Sequence, residues 1–220
     1  SAESLAGLCV RQHQLSALVI RGCRLRDAAS VLCPGSPKAE EAALSHMQRR
    51  PWPELHRLAI DDCGATQLDD SLRLCPKLRE LSASSNTIES LGAAASCALL
   101  TSVDLSRNRL PALALSTGQW AQLRRLRLGG NCLWSLAPLA ALFALECLDV
   151  SRNSVADLRQ LEHLRPLHNL RELALWGNPL RCTRELREAA GDPSPDTAAA
   201  AEAKEDASPP AHGVSEAPAP

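Results

Sequence analysis

A curved α/β solenoid of about seven short coils is the fold this sequence predicts, with one short parallel strand per coil on the concave side and 3-10 or helical returns on the convex side. Three observations predict it. The phrase Leu-x-x-Leu-x-Leu-x-x-Asn-x-Leu recurs, with its plainest copies at Leu78 to Ile88, Leu123 to Leu133, Leu145 to Val155 and Leu170 to Leu180. Its asparagines, Asn86, Asn108, Asn131, Asn153 and Asn178, fall 22, 23, 22 and 25 residues apart. After Asn131, leucines recur every third residue at Leu133, Leu136, Leu139, Leu142 and Leu145.

This phrase is the leucine-rich repeat signature, and it assigns a role to each position. Leucines at the fourth and sixth positions point inward from a strand at x-L-x-L-x, and the residues flanking them point out. The Asn side chain points inward and bonds the backbone of adjacent coils. Two earlier copies carry cysteine in that column. Leu55 to Cys63 places Cys63 there, 23 residues before Asn86, and Leu15 to Leu25 places Cys23 there. That makes seven repeats.

The 40 residues from Cys23 to Cys63 exceed one repeat, so an insertion is expected near 34–53. Pro34, Gly35, Ser36 and Pro37 open it, Pro51 and Pro53 close it, and A-E-E-A-A-L-S-H-M-Q between them suits a short helix. Three-residue spacing of leucines fits a 3-10 return with one buried face. The return after Asn153 is longer, with Leu158, Leu161, Leu164, Leu167 and Leu170, and predicts a fuller helix.

The repeat domain is therefore expected over 15–190, with Thr183 to Ala190 as a capping helix ended by Gly191 and Pro193. Residues 1–14 supply an N-terminal cap or partial repeat. Residues 191–220, rich in Ala, Pro and acids, are expected to be a disordered tail. The chain starts Ser-Ala-Glu and its only methionine is Met47, which suggests a piece of a longer protein.

The net charge of −1 hides an asymmetry: 23 basic and 19 acidic residues up to 190, then six acids against Lys204. Neither half is basic enough to point to nucleic acid. With no Tyr and the single Phe143, base stacking on RNA is also disfavoured. Nine scattered cysteines without a C-x-x-C pair suit reduced thiols in the cytoplasm. No run of 18 apolar residues predicts membrane insertion.

The period of about 22 residues, with its L-x-x-L-x-x-L returns, resembles the class typified by the regulatory subunit of protein phosphatase one. Within it, Asp69 to Asn86 (D-D-S-L-R-L-C-P-K-L-R-E-L-S-A-S-S-N) and the long last return with L-R-E-L-A-L-W-G-N-P-L resemble the repeat regions of the nischarin and tumour-suppressor-kinase-interacting protein families. The resemblance covers about 15–180 and implies a cytoplasmic scaffold in signalling or endosomal trafficking. One departure is the absence of an aromatic cap after the final N-P-L. Another is N-P-L-R-C-T-R, which keeps Cys182 but has Arg184 where secreted relatives carry a second cysteine.

Functional residues are expected on the outward strand positions. One column reads Val19, Ala59, Ser82, Asp104, Arg127, Asp149 and Ala174; the next reads Arg21, Asp61, Ser84, Ser106, Gly129, Ser151 and Trp176. Beside it lie Gly22, Asp62, Ser85, Arg107, Gly130, Arg152 and Gly177. Asp104, Arg127 and Asp149 stand on successive coils, either as a self-satisfied charge ladder or as a polar docking stripe. Trp176 beside arginines has the composition of an interface hot spot, unless it folds over the terminal coil. Trp134 is expected to pack or to lie on the convex flank, and Trp52 and Trp120 to pack. Arg107, Arg127, Arg152 and Trp176 are thus the expected contacts for a protein ligand, with Asp104 and Asp149 tuning specificity.

An enzyme is not expected. The six histidines are dispersed, there is no H-E-x-x-H, nucleophile elbow or Gly-rich phosphate loop, and the Asp61–Asp62 and Asp69–Asp70 pairs fall at turns as local caps. No cofactor or metal is implied, and a monomer is expected. The alternative to a ligand-binding face is a structural spacer in a larger ciliary or trafficking assembly, with activity in flanking regions.

Overall fold

The computed structural model describes residues 14–25, 32, 52–68, 70–92, 94, 97–115 and 118–181. The expected N-terminal cap up to residue 13, most of the 34–53 insertion with its short helix, the Thr183 to Ala190 helix and the 191–220 tail lie outside them.

Seven parallel strands form one sheet in chain order: β1 (Ala17–Arg21), β2 (Arg57–Asp61), β3 (Glu80–Ser82), β4 (Ser102–Asp104), β5 (Arg125–Arg127), β6 (Cys147–Asp149) and β7 (Glu172–Ala174). All seven expected repeats are present, as a leucine-rich repeat solenoid. From β3 onward the strands span three residues, one Leu or Val and its two neighbours, rather than the expected x-L-x-L-x. The backbone bonds nevertheless run on one residue further, as in Leu105 N–H to Arg127 C=O (2.9 Å) and Leu128 N–H to Asp149 C=O (2.7 Å).

The end of each strand has a visible cause. The residue just before the Asn column is left-handed in every coil: Gly22, Asp62, Ser85, Arg107, Gly130, Arg152 and Gly177 all have φ between 50 and 75°. That conformation swings the chain out of the sheet and into the return. For the four non-glycine residues it costs roughly 1–2 kcal/mol each, so the coil must hold them there.

The Asn column does so. In each coil from Asn86 on, Nδ2 donates to the carbonyl three residues earlier and to the equivalent carbonyl one coil back. Oδ1 accepts a backbone N–H from the preceding coil: Ala65, Ile88, Leu110, Leu133 and Val155 in turn. Cys63 imitates the donor half only, with Sγ 3.2 Å from the Asp61 carbonyl oxygen and 3.7 Å from that of Ile20. Leu25 N–H, which an Asn Oδ1 would take, goes to the Cys63 carbonyl instead at 2.7 Å. Cysteine is tolerated in this column because the backbone supplies the missing acceptor.

The leucines fill the interior between sheet and returns. Leu133, Leu136, Leu139, Leu142 and Leu145 are all buried, around a 3-10 helix at Ala137–Ala141. The longer return forms the longer helix expected of it, a 3-10 helix of seven residues at Leu158–Leu164 against five at Ala137–Ala141, capped by Asp157 accepting from the Arg159 N–H at 2.8 Å. Three residues per turn stacks leucines at every third position on one face, which a 3.6-residue helix would splay. Trp52 and Trp120 pack as expected, fully buried, their Nε1–H groups donating to the carbonyls of Leu32 and Ala94 at 3.0 and 2.9 Å. Trp134 does not pack; it stands 63% exposed.

Candidate interaction face

The register aligns the outward residues as the sequence columns require: Val19, Ala59, Ser82, Asp104, Arg127, Asp149 and Ala174 are consecutive partners across the sheet. With the fourth and sixth repeat positions turned inward, these fifth-position side chains stand together on the strand face. Arg127 leans toward one neighbour, its Nη1 3.6 Å from Asp104 Oδ2. The Arg127 side chain is 65% exposed, so this pair adds little stability by itself.

Both aspartates have a second task. Asp104 Oδ1 accepts from the Ser106 N–H at 3.0 Å, and Asp149 Oδ1 from the Ser151 N–H at 2.9 Å. A D-x-S step thus locks each carboxylate against its own backbone as the strand turns away. Asp149 also lies over Gly129: a Cβ there would meet its carboxylate oxygens at 3.1 and 3.3 Å. Over β5 to β7 this leaves an open hollow of about 530 Å³, lined by Arg125, Arg127, Cys147, Asp149, Glu172 and Ala174 among others.

Arg107 and Arg152 leave the face at the left-handed turn, where each points forward over a glycine of the next coil. A Cβ on Gly130 would meet Arg107 Cγ at 3.5 Å, and one on Gly177 would meet Arg152 Cγ at 2.9 Å. Arg152 ends over the Trp176 indole, 4.6 Å from the ring centroid. Trp176 stays 59% exposed, and so is not buried under the terminal coil. The structure thus brings Asp104 against Arg127 and Arg152 against Trp176. Arg107 has no ion-pair partner among the described residues.

One polar centre escaped the sequence reading. Asp61 is no turn cap: it ends β2, nearly buried, and its Oδ1 accepts from Ser82 Oγ (2.6 Å), Ser84 N–H (2.9 Å) and Ser84 Oγ (2.9 Å). Its Oδ2 takes Arg21 Nε at 3.3 Å. Burial pushes the carboxyl pKa up, but the Ser82 and Ser84 hydrogen bonds, with Arg21 behind them, outweigh it and hold Asp61 below the usual carboxylate range. The signal was present in the column order: Arg21, Asp61 and Ser84 are adjacent in one outward column. Among the described residues no group of three or more His, Cys, Asp or Glu could hold a metal ion, and no helix is long and apolar enough to cross a membrane.

Set beside known proteins, the chain is 35% identical over 157 residues to the human serine/threonine-protein kinase 11-interacting protein, covering 69% of this chain and 14% of that protein. The chicken protein of the same name is 32% identical over 134 residues, covering 59% of this chain and 12% of its own length. The seven-rung parallel ladder is that of a leucine-rich repeat fold. The chain spans only a small part of the length of these two relatives. No family model matches it. Similar solved structures include the leucine-rich repeat ectodomain of the plant membrane receptor kinase GASSHO1/SCHENGEN3 from Arabidopsis thaliana (26% identity, 59% of this chain and 16% of that one, TM-score 0.49). An internalin of Listeria monocytogenes is another (20% identity, 63% and 45%, TM-score 0.47).

Proposed function

We propose that this leucine-rich repeat module is a protein-interaction scaffold that binds a protein ligand on its concave strand face, in a cytoplasmic signalling or trafficking setting. The observation that carries the reading is Trp176, exposed at one end of that face and held under Arg152. Trp and Arg dominate interface hot spots because each brings a large, stiff contact surface and a polar handle at little entropic cost. The D-x-S locks and the coil-to-coil Asn bonds make the surrounding face rigid before any ligand arrives, which lowers the cost of binding. The relatives named above are called interacting proteins of a kinase, which accords with a binding role. The reading assigns the chain no catalytic step, and the cytoplasmic setting follows from the family resemblance and from scattered cysteines without a C-x-x-C pair.

The test is an affinity capture from cytosol with the full chain and with a quadruple alanine variant at Arg107, Arg127, Arg152 and Trp176, both checked by thermal melts. Proteins retained by the wild type and lost by the variant support the concave face. Equal retention places binding elsewhere on the molecule. Retention of nothing by a folded wild type favours the spacer alternative.

A further inference from the structure

The strand face offers no place for an added β-strand, because the backbone of β4 to β6 is paired on both sides within its own ladder. A ligand lying there is recognised through side chains. Bordering the face at the left-handed turn are Arg107 and Arg152, which occupy the same place two coils apart. Parallel strands lie about 4.8 Å apart, so the two arginine positions repeat at roughly 9.6 Å along the stack. Between them the same column holds Gly130, and after Arg152 it holds Gly177. The glycines supply the left-handed turn and also the room: each leaves its place for the arginine of the coil before it. The pattern Arg–Gly–Arg–Gly therefore sets two arginine stems on one line, with only a glycine in the coil between.

An extended polyproline-II peptide has three residues per turn and rises about 3.1 Å per residue, so positions i and i+3 face the same way about 9.3 Å apart. That repeat matches the spacing of the two arginine positions. Such a peptide makes no internal hydrogen bonds and so presents its side chains to a face that has no backbone groups to offer it. Carboxylates at i and i+3 would each meet a guanidinium. Arg152 is held in place by stacking on Trp176, which leaves its N–H edge free to donate in the plane. The exposed part of the indole then lies one coil further on, within reach of an apolar residue at i+4 or i+5.

We infer that the partner presents an extended acidic peptide, with carboxylates three residues apart on Arg107 and Arg152 and an apolar residue following on Trp176. This rests on the concave-face reading and adds the chemistry of what binds there. Of the neighbouring acids, Asp104 is paired with Arg127, and Asp149 is turned back onto the Ser151 N–H of its own strand end.

The probe is the synthetic peptide acetyl-Pro-Glu-Pro-Pro-Glu-Pro-Leu-amide, titrated calorimetrically into the full chain at low and at physiological salt. Its controls replace both Glu by Gln, place the two Glu side by side, or replace both by Lys; a uridine oligonucleotide is a fifth ligand. The variants are Arg107→Gly and Arg152→Gly, chosen because glycine takes the left-handed backbone of these positions without strain. Binding of the Glu peptide in preference to all four other ligands is expected, weakened by added salt and about two- to fivefold by each variant, as exposed ion pairs allow. The Arg107→Glu, Arg152→Glu double variant should reverse the preference to the Lys peptide. Equal binding of the Gln peptide, no effect of either variant, or equally tight binding of the oligonucleotide overturns the inference. If the cytosolic capture still depends on the concave face while the peptides fail, the face reading stands and the acidic-peptide chemistry is wrong.

Discussion

Replacing Asn131 with alanine removes one rung of the ladder that joins the coils, and the structure says which groups are left without a partner. Asn131 is nearly buried, and its Oδ1 accepts from the Leu110 N–H at 3.0 Å. Its Nδ2 donates to the carbonyls of Leu105 and Leu128, both at 2.9 Å. Those carbonyls are shared: Leu105 C=O keeps Asn108 Nδ2 at 3.0 Å, and Leu128 C=O keeps Asn153 Nδ2 at 2.9 Å. The Leu110 N–H has no such reserve, and a buried orphan donor costs about 1–3 kcal/mol. Two lost hydrogen bonds to carbonyls that keep another partner add about 0.5–1.5 kcal/mol each. The expected loss is therefore about 3 kcal/mol, or a fall in Tm on the order of 6–12 °C for a domain of this size. Urea denaturation followed by circular dichroism would measure it. Cys63→Ala is the matched control, because Leu25 N–H already bonds the Cys63 carbonyl and only weak thiol contacts are lost. A cost below about 1 kcal/mol for Asn131→Ala, or one no larger than that of Cys63→Ala, would refute the view that the Asn column carries the coil-to-coil stability.

Gly92→Ala should destabilise far more than Gly64→Ala: both are left-handed, but a Cβ on Gly92 would lie 1.9 Å from the Leu68 carbonyl oxygen while Gly64 faces open space. Gly64→Ala should cost roughly 1–2 kcal/mol from backbone strain alone, and thermal melts of the two would show the gap. Asp61→Asn tests the buried carboxylate. Because its folded-state pKa lies below the unfolded one, the charged form stabilises the fold above the ordinary carboxylate range near pH ~4 and the contribution is lost as pH falls through the folded value. The stability gap between wild type and Asp61→Asn should thus be constant from neutral pH down to about 5 and close in acid; a gap that widens there would contradict the sign. Burial pushes the Cys97 thiol up to about 11, so Cys97 should resist a thiol reagent in the native protein while exposed Cys132 reacts, as peptide mapping after labelling would record.

The periodic positions were legible in the chain alone. The Asn spacing located each coil, the Leu triplets located the returns, and the outward columns proved to be real neighbours in the sheet. Regular repeats can be read this way because every coil solves the same packing problem, so the residue that must turn inward recurs at the same offset. The elements that resisted reading depend on neighbours outside the repeat phrase. Asp61 looked like half of an acidic turn pair because Arg21, Ser82 and Ser84 converge on it from other coils. The longer return was legible as a longer helix because its length is local, whereas its 3-10 pitch answers to the coil beneath.

What the sequence determined by itself was the architecture: seven coils, their register, and which residues face in or out, all consequences of apolar periodicity and one inward amide per coil. What only the tertiary structure decided was how the outward residues dispose themselves. Arg127 turns to Asp104, Arg152 lies over Gly177 to reach Trp176, and Arg107 crosses Gly130 with no ion-pair partner among the described residues. Inward positions have a single low-energy answer because water is excluded and every polar group must be paired. Outward side chains choose among several near-equal contacts in water, and the choice is made by which neighbour the adjacent coil brings within reach.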